Sequence, residues 1–188
     1  MGGKLTIEKE AEGMIERLLV IEDLEEQEEI WRFYEEAFRS VNEETPITQT
    51  FRKRDFLGFL ENPKVVKFIV KEQGGIVGLG LISGQLDLDS WFSLPYFEKH
   101  FPGNPIFNIM VFAVRPDHRG QDLAVRLLRT MINEVPANGM GVFTHSQRAN
   151  HFLPRFTEKA CAGHIEGQEL DAEALCIYWW KGGEKVPL

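Results

Sequence analysis

The most constraining stretch of the sequence is an apolar strand that runs through a glycine-containing turn into an amphipathic helix. "IFNIMVFAV" (106–114) is a continuous apolar run, which is typical of a central strand covered on both faces. "RPDHRGQD" follows, and the next apolar residues recur at helical spacing: Leu123, Leu127, Leu128, Met131, Ile132 and Val135. The first N–H groups of a helix have no partner within it, and they favour an anion.

The turn itself carries residues that suit a phosphate. Gly120 allows the backbone to approach a ligand closely. Arg115, His118 and Arg119 add positive charge beside the helix start. The residues therefore predict a phosphate site, and the alternative is an ordinary strand-to-helix turn with solvated arginines.

The rest of the chain alternates predicted strands and helices. A segment of about twenty residues before the central strand, 85–105, fits no single period and is rich in aromatic residues. The remaining pattern predicts a strand at 16–22, helices at 23–42 and 51–62, a hairpin of 65–72 and 75–84 that turns at Gly74-Gly75, a strand at 139–147, a helix at 150–162 and a final strand at 171–181. We expect one mixed α/β domain, with residues 1–14 as a mobile N-terminal segment.

Composition narrows the function classes. The 188 residues suit one domain, and a net charge of −8 argues against phosphate-driven binding to nucleic acid. Two cysteines, Cys161 and Cys176, need no disulfide framework, which favours the cytoplasm. No apolar run is long enough for a spanning helix, so we expect no membrane partner.

"VRPDHRGQDLA" (114–124) resembles the acyl-CoA-binding signature of the GNAT superfamily of N-acyltransferases. That signature reads V-x-P, then Arg or Gln, two residues, Gly, one residue, and Gly or Ala. Four positions match, namely Val114, Pro116, Arg119 and Ala124. The predicted order of elements is similar to the family fold over nearly the whole chain. The resemblance implies a central mixed, mostly antiparallel sheet flanked by helices, with a splayed parallel strand pair at the cofactor site, in one domain over residues 1–188.

The resemblance also implies a set of cofactor-binding residues and acetyl-CoA as co-substrate, without a metal. The backbone of Phe112, Ala113 and Val114 would pair with the pantetheine arm. The pyrophosphate would lie on the loop of Arg119, Gly120, Gln121, Asp122, Leu123 and Ala124. Asn150 matches an Asn that often lies near the cofactor in this family, and its alternative role is a helix cap.

Asp122 departs from the family pattern, because the signature prefers its central Gly there. Two like unit charges 4 Å apart repel by about 4 kcal/mol at an effective dielectric near 20. Arg126 lies four residues further on, within pairing reach on a helix. Our hypothesis is that the Asp122 carboxylate turns outward while its N–H group faces the phosphate.

The catalytic groups are a second departure. Many family members carry a Tyr that protonates the leaving thiolate, and this chain has Thr157 at that position. The substitutes that stay open are Ser146, Tyr178, Cys161 or solvent.

A general base must deprotonate the substrate amine, and the central strand has no Asp or Glu whose carboxylate could be that base. Asp87, Asp89 and Glu98 precede that strand, and His145 lies on the next one. The alternative role of the three acids is that of solvated surface residues, and the alternative role of His145 is structural.

Two segments are candidates for the acceptor site. The aromatic segment 91–101 could line a pocket, act as a lid or serve as core or dimer surface. Phe51, Arg52 and Arg54 lie where the family often shapes its acceptor site, and solvated helix surface is the alternative.

These observations predict an enzyme, a CoA-dependent acyltransferase that moves an acetyl or short acyl group to an amine of a small molecule or protein. Family members often form homodimers. Two alternatives stay open: a non-catalytic CoA-binding regulatory module of the same fold, and a plain interaction domain that uses the acidic helix 23–42.

Overall fold

A computed structural model describes residues 5–6, 14–44, 50–85, 93–118, 122–146, 163–166 and 175–183. The elements in chain order are β1 (Leu5–Thr6), β2 (Met14–Leu18), α1 (Leu24–Glu44), α2 (Lys53–Glu61), β3 (Val65–Glu72), β4 (Gly75–Ser83), α3 (Leu94–His100), β5 (Ile106–Val114), a 3-10 turn (Pro116–His118), α4 (Leu123–Asn133), β6 (Met140–Ser146), β7 (Gly163–Glu166) and β8 (Leu175–Lys181).

The described strands belong to one sheet in the order β1-β2-β3-β4-β5-β6-β8-β7. Among the neighbouring pairs with a described register, β5 and β6 are parallel and the others are antiparallel. The prediction of a mixed, mostly antiparallel sheet flanked by helices is therefore confirmed.

The parallel pair has a short register. It runs from Ile106 beside Met140 to Ile109 beside Phe143. Both strands continue past that point, β5 to Val114 and β6 to Ser146. This early end of the pairing agrees with the predicted splay.

Contacts divide the chain into two compact units, Met1–Ile82 with Val111–Leu128 and Ser83–Met110 with Arg129–Leu188. In the first unit, β3 and β4 form a hairpin through the two-residue turn Gln73-Gly74, both of which have positive φ angles. A right-twisted hairpin favours a turn of that kind. The turn lies one residue earlier than the sequence predicted.

The two faces of β3 differ in their partners, because successive side chains of a strand point to opposite faces. On one face the Lys71 ammonium pairs with Glu26 of α1 at 2.8 Å. On the other face, a Cβ built on Gly78 would approach Val70 Cγ2 to 3.0 Å and Leu127 Cδ2 of α4 to 3.4 Å. Gly78 therefore permits the close approach of α4 to this hairpin.

In the second unit, β6 pairs along its length with β8, from Met140 beside Lys181 to Ser146 beside Leu175. The Trp180 indole is buried and donates its Nε1–H to the carbonyl of Ile132 at 3.3 Å. A side chain on Gly141 would collide with the indole ring. The pairing of β6 with β8 therefore requires a glycine at position 141, opposite Trp180.

Leu5–Thr6 pairs with β2, and the mobility expected of residues 1–14 stays a prediction. Two other short elements differ from the prediction made from the sequence. Strand β7 was not predicted, and α3 lies inside the segment that fitted no period. The predicted helix at 150–162 lies outside the described residues.

Candidate functional site

The end of β5 is fixed to the neighbouring strand within the first unit. The N–H of Arg115 donates to the carbonyl of Val77 on β4 at 2.9 Å. Ala113 and Val114 are buried, and Phe112 is half-buried. The residues predicted to pair with a pantetheine arm therefore lie on a well-covered strand whose end is held.

A network of four charged side chains follows β5, and we call it the charged turn: Arg115, Asp117, His118 and Glu72. The Arg115 guanidinium donates two hydrogen bonds to the Asp117 carboxylate, at 2.7 Å and 2.9 Å. His118 contacts Asp117 through Nδ1 at 2.8 Å and Glu72 through Nε2 at 3.1 Å. The sequence predicted free positive charge from Arg115 and His118, and the structure instead pairs both with carboxylates.

The charged turn changes the protonation of its members. Hydrogen bonds from Arg115 and His118 hold the pKa of Asp117 far below its usual range. The hydrogen bond to Asp117 raises the pKa of His118, desolvation opposes this, and Glu72 adds to the rise. Glu72 is the residue that sequence reasoning missed, because it lies 46 positions from His118 along the chain.

Helix α4 begins immediately after Asp122. The Asp122 carbonyl accepts the N–H of Arg126 at 2.9 Å, which is the first bond of the helix and makes Asp122 the N-cap residue. Its side chain is exposed. An acid at this end is stabilised by the helix dipole. The outward orientation of the carboxylate and its contact with the Arg126 side chain both stay predictions.

The first turn of α4 packs inward. Leu123 and Ala124 are buried, and Leu127 lies against Gly78 of the hairpin. Arg119, Gly120 and Gln121 lie outside the described residues, as does Asn150. The structure therefore places Phe112–Val114 at the end of β5 and Asp122–Ala124 at the start of α4, on either side of the turn that joins the strand to the helix.

Only some of the candidate catalytic residues lie in the part of the chain that the structure describes. Glu98 is exposed on α3. His145 and Ser146 occupy the end of β6, beyond Phe143, the last residue of that strand paired with β5, and they face Cys176 and Leu175 of β8 in the register. Tyr178 lies on β8 between Phe143 and His164. Asp87, Asp89, Thr157 and Cys161 lie outside the described residues.

The predicted acceptor region of α1 and α2 contains a packed aromatic cluster. The Tyr34 hydroxyl accepts the N–H of Phe51 at 2.9 Å, and the Tyr34 ring stacks on Phe56 at 4.4 Å. Burial raises the pKa of Tyr34 to about 12. Arg52 and Arg54 are exposed. Phe51 is thus half-buried and contacts the buried Tyr34, so it is part of the packed cluster as well as of the surface.

The described part of the chain shows neither a metal-binding cluster nor a membrane-spanning helix. No group of three or more His, Cys, Asp and Glu residues in that part of the chain could hold a metal ion. Among the helices that the structure describes, none is long and apolar enough to cross a membrane.

Comparison with known families decides the classification. The model of the acetyltransferase (GNAT) family matches residues 10–162, which is most of the chain. The chain belongs to the GNAT acetyltransferase family. No curated protein sequence matches it.

Solved structures of other GNAT proteins share the fold. An N-acetyltransferase from Staphylococcus aureus Mu50 is 18% identical with a TM-score of 0.60, over 91% of this chain and 99% of its own. The ribosomal-protein-S18-alanine N-acetyltransferase of Escherichia coli is 14% identical with a TM-score of 0.58, over 93% and 100%. Arabidopsis thaliana NAA60, solved with a bisubstrate analogue, is 12% identical with a TM-score of 0.58, over 89% and 98%. At these identities the likeness concerns the fold.

Proposed function

We propose that this GNAT protein transfers an acetyl or other short acyl group from acetyl-CoA to an amine of a small molecule or protein. The observation that carries the proposal is the strand–turn–helix segment, in which the signature residues Val114 and Ala124 lie on β5 and α4 of a family member. We expect this activity in the cytoplasm, because two cysteines require no oxidising compartment.

Cofactor binding would use the backbone at both ends of that segment. The free N–H groups of the first α4 turn and the helix dipole suit the pyrophosphate. Arg119 would add the positive charge that Arg115 and His118 share with carboxylates. This arrangement requires that the exposed Asp122 carboxylate turn away from the phosphates, since a carboxylate aimed at them would oppose binding.

The reaction needs one base, one acid and one hydrogen-bond donor. The amine loses a proton to the base and attacks the thioester carbonyl, and the thiolate leaves with a proton from the acid. A backbone N–H of β5 would stabilise the carbonyl oxygen. The candidates that we carry forward are Asp89, Glu98 and His145 for the base and Ser146 for the acid.

We propose an amine as the acceptor, whether it belongs to a small molecule or to a protein. A net charge of −8 suits a neutral or cationic acceptor better than an anionic one. The Escherichia coli neighbour is named for a protein substrate, an alanine of ribosomal protein S18, which makes a protein amine worth testing beside small amines.

The first experiment is calorimetric titration with acetyl-CoA and with free CoA. We expect a Kd of about micromolar size for the native protein, and Arg119→Ala should weaken binding by about tenfold or more because a charged phosphate contact is lost. Arg39→Ala is the matched control, since Arg39 is an exposed arginine on α1. Equal affinities for all three proteins would remove the signature loop from the binding site.

Transfer is tested separately from binding. The protein is incubated with acetyl-CoA and a panel of amines that includes short peptides with a free N-terminal alanine, and released thiol is measured. Tight binding without thiol release for any amine would contradict the transferase part of the proposal and keep the binding part.

A further inference from the structure

His118 contacts a carboxylate with each of its two ring nitrogens. Asp117 lies 2.8 Å from Nδ1 and Glu72 lies 3.1 Å from Nε2. A neutral imidazole carries one N–H and can donate to one carboxylate, whereas an imidazolium donates to both. The His118 side chain is 14% exposed and Glu72 28% exposed, so the contact with Glu72 is the better covered of the two, whereas Asp117 is 62% exposed. The geometry therefore fits the protonated ring.

The charge balance of the charged turn depends on that proton. Glu72 faces His118 from β3, and Asp117 and Arg115 face it from the same turn. With His118 protonated, two cations balance two anions. Loss of the proton leaves one net negative charge, and one nitrogen lone pair then faces a carboxylate.

The position of this network links it to the cofactor loop. Glu72 is the last residue of β3, a largely buried strand. His118 is the last residue of the 3-10 turn, directly before Arg119 of the signature. The contact between Glu72 and His118 therefore joins the start of the loop to the core of the first unit.

We propose that His118 is a positioning residue for acyl-CoA, which in its protonated form fastens the turn before the signature loop to Glu72. Deprotonation weakens this link and leaves one net negative charge on the turn that directly precedes the signature loop in sequence. Acyl-CoA affinity then falls as the pH rises. This inference rests on the proposed function, and it adds a pH dependence and a specific residue pair to it.

The sign of the effect follows from the two carboxylates. They raise the pKa of His118 above its ordinary value of 6.5. The contribution of His118 is therefore complete below about pH 6.5 and is lost as the pH rises through the higher value of the folded protein. Removal of the Glu72 charge should move that loss to lower pH.

The experiment compares Glu72→Gln with a matched control, Glu26→Gln. Glu26 pairs with Lys71, the residue next to Glu72 on β3, and the two acids are similarly exposed, at 30% and 28%. The Kd for acetyl-CoA is measured from about pH 6 to about pH 9. The cofactor's own phosphate titrates near the acidic end in all samples, so that effect cancels.

We expect the affinity of the native protein and of Glu26→Gln to fall at the same pH. The Glu72→Gln curve should shift to lower pH and show affinity about fivefold weaker near neutrality. Proton NMR of the imidazoles gives an independent readout: the pKa of His118 should fall in Glu72→Gln and stay unchanged in Glu26→Gln. The five histidines make the spectrum tractable, and the signal lost in His118→Arg identifies the ring.

The variant His118→Arg also tests whether the positive charge of His118, and not only its packing, supports acetyl-CoA binding. A guanidinium stays protonated and carries several N–H donors, so this variant should keep its affinity at alkaline pH. Coincident Kd curves for Glu72→Gln and Glu26→Gln would overturn the inference. A native protein that binds no acetyl-CoA at any pH would overturn the proposed function, and the NMR result would still report whether Glu72 controls the charge of His118.

Discussion

The charged turn of the first unit and the Trp180 contact of the second unit hold their chain segments in opposite ways. The charged turn uses four ionisable side chains, and the acid–base partners lie between 2.7 Å and 3.1 Å apart. The other region uses the absence of a side chain, because Gly141 faces the indole of Trp180 directly. Ionic contacts respond to pH and salt, whereas close packing responds to volume. We therefore expect the contacts of the charged turn to respond to pH and salt, and the contact between Gly141 and Trp180 to respond to side-chain volume.

The largest expected effect is on the packed region. Gly141→Val should lower the free energy of unfolding by about 3 kcal/mol, because the added side chain would occupy the position of the indole. Urea unfolding measures this change. Gly58→Ala on α2 is the control, since a Cβ there has nothing within 4 Å, and it should stabilise by up to about 1 kcal/mol. An unchanged stability for Gly141→Val would mean that Trp180 packs elsewhere.

A smaller effect on stability is expected from Lys67, a buried amine that belongs neither to the charged turn nor to the contact between Gly141 and Trp180. Lys67 is buried and its ammonium donates to the carbonyls of Leu19 and Asn62, each at 2.7 Å. Burial lowers the pKa of Lys67 to about 7. The unfolded chain then binds more protons than the folded one between about pH 7 and about pH 10.4, so this group makes stability rise with pH across that window.

Lys67→Met should remove this rise, which unfolding measurements from about pH 6 to about pH 10 would detect. Lys71→Met is the matched control on the same strand, because the hydrogen bond to Glu26 raises the pKa of Lys71 and puts its titration above the window. Parallel stability curves for the native protein and Lys67→Met would contradict the prediction.

The smallest effect concerns the acid at the start of α4. Asp122→Gly should change acetyl-CoA affinity by less than about tenfold, because the side chain is exposed and Gly replaces an N-cap Asp at a cost of a few tenths of a kcal/mol. Calorimetry measures the change. A gain of more than about a hundredfold would mean that the carboxylate faces the phosphates after all.

The sequence predicts long, regular elements well and short ones poorly. The bounds of β5 are predicted because a run that is apolar apart from Asn108 ends at Arg115-Pro116. The seven residues of α3 make about two turns, which is too short for a helical period to appear. Strand β7 has four residues and a mixed pattern, so it also gives no signal.

The candidate site divides in the same way. The signature residues at both ends of the strand–turn–helix segment are local in sequence, and a motif finds them. The link between His118 and Glu72 is not local, since it depends on how β3 lies beside the turn. Nothing in either residue's neighbours along the chain indicates the other. Charge cancellation in the charged turn could therefore be learned only from the fold.

Burial of Lys67 has a chemical consequence in a protein that we propose to bind thioesters. An amine whose pKa is about 7 is unprotonated for much of the time near neutrality, and an unprotonated amine attacks activated acyl groups. The same burial that lowers the pKa also leaves none of the Lys67 surface exposed. The Lys67 amine is thus shielded from acyl donors in solution by the same burial that lowers its pKa.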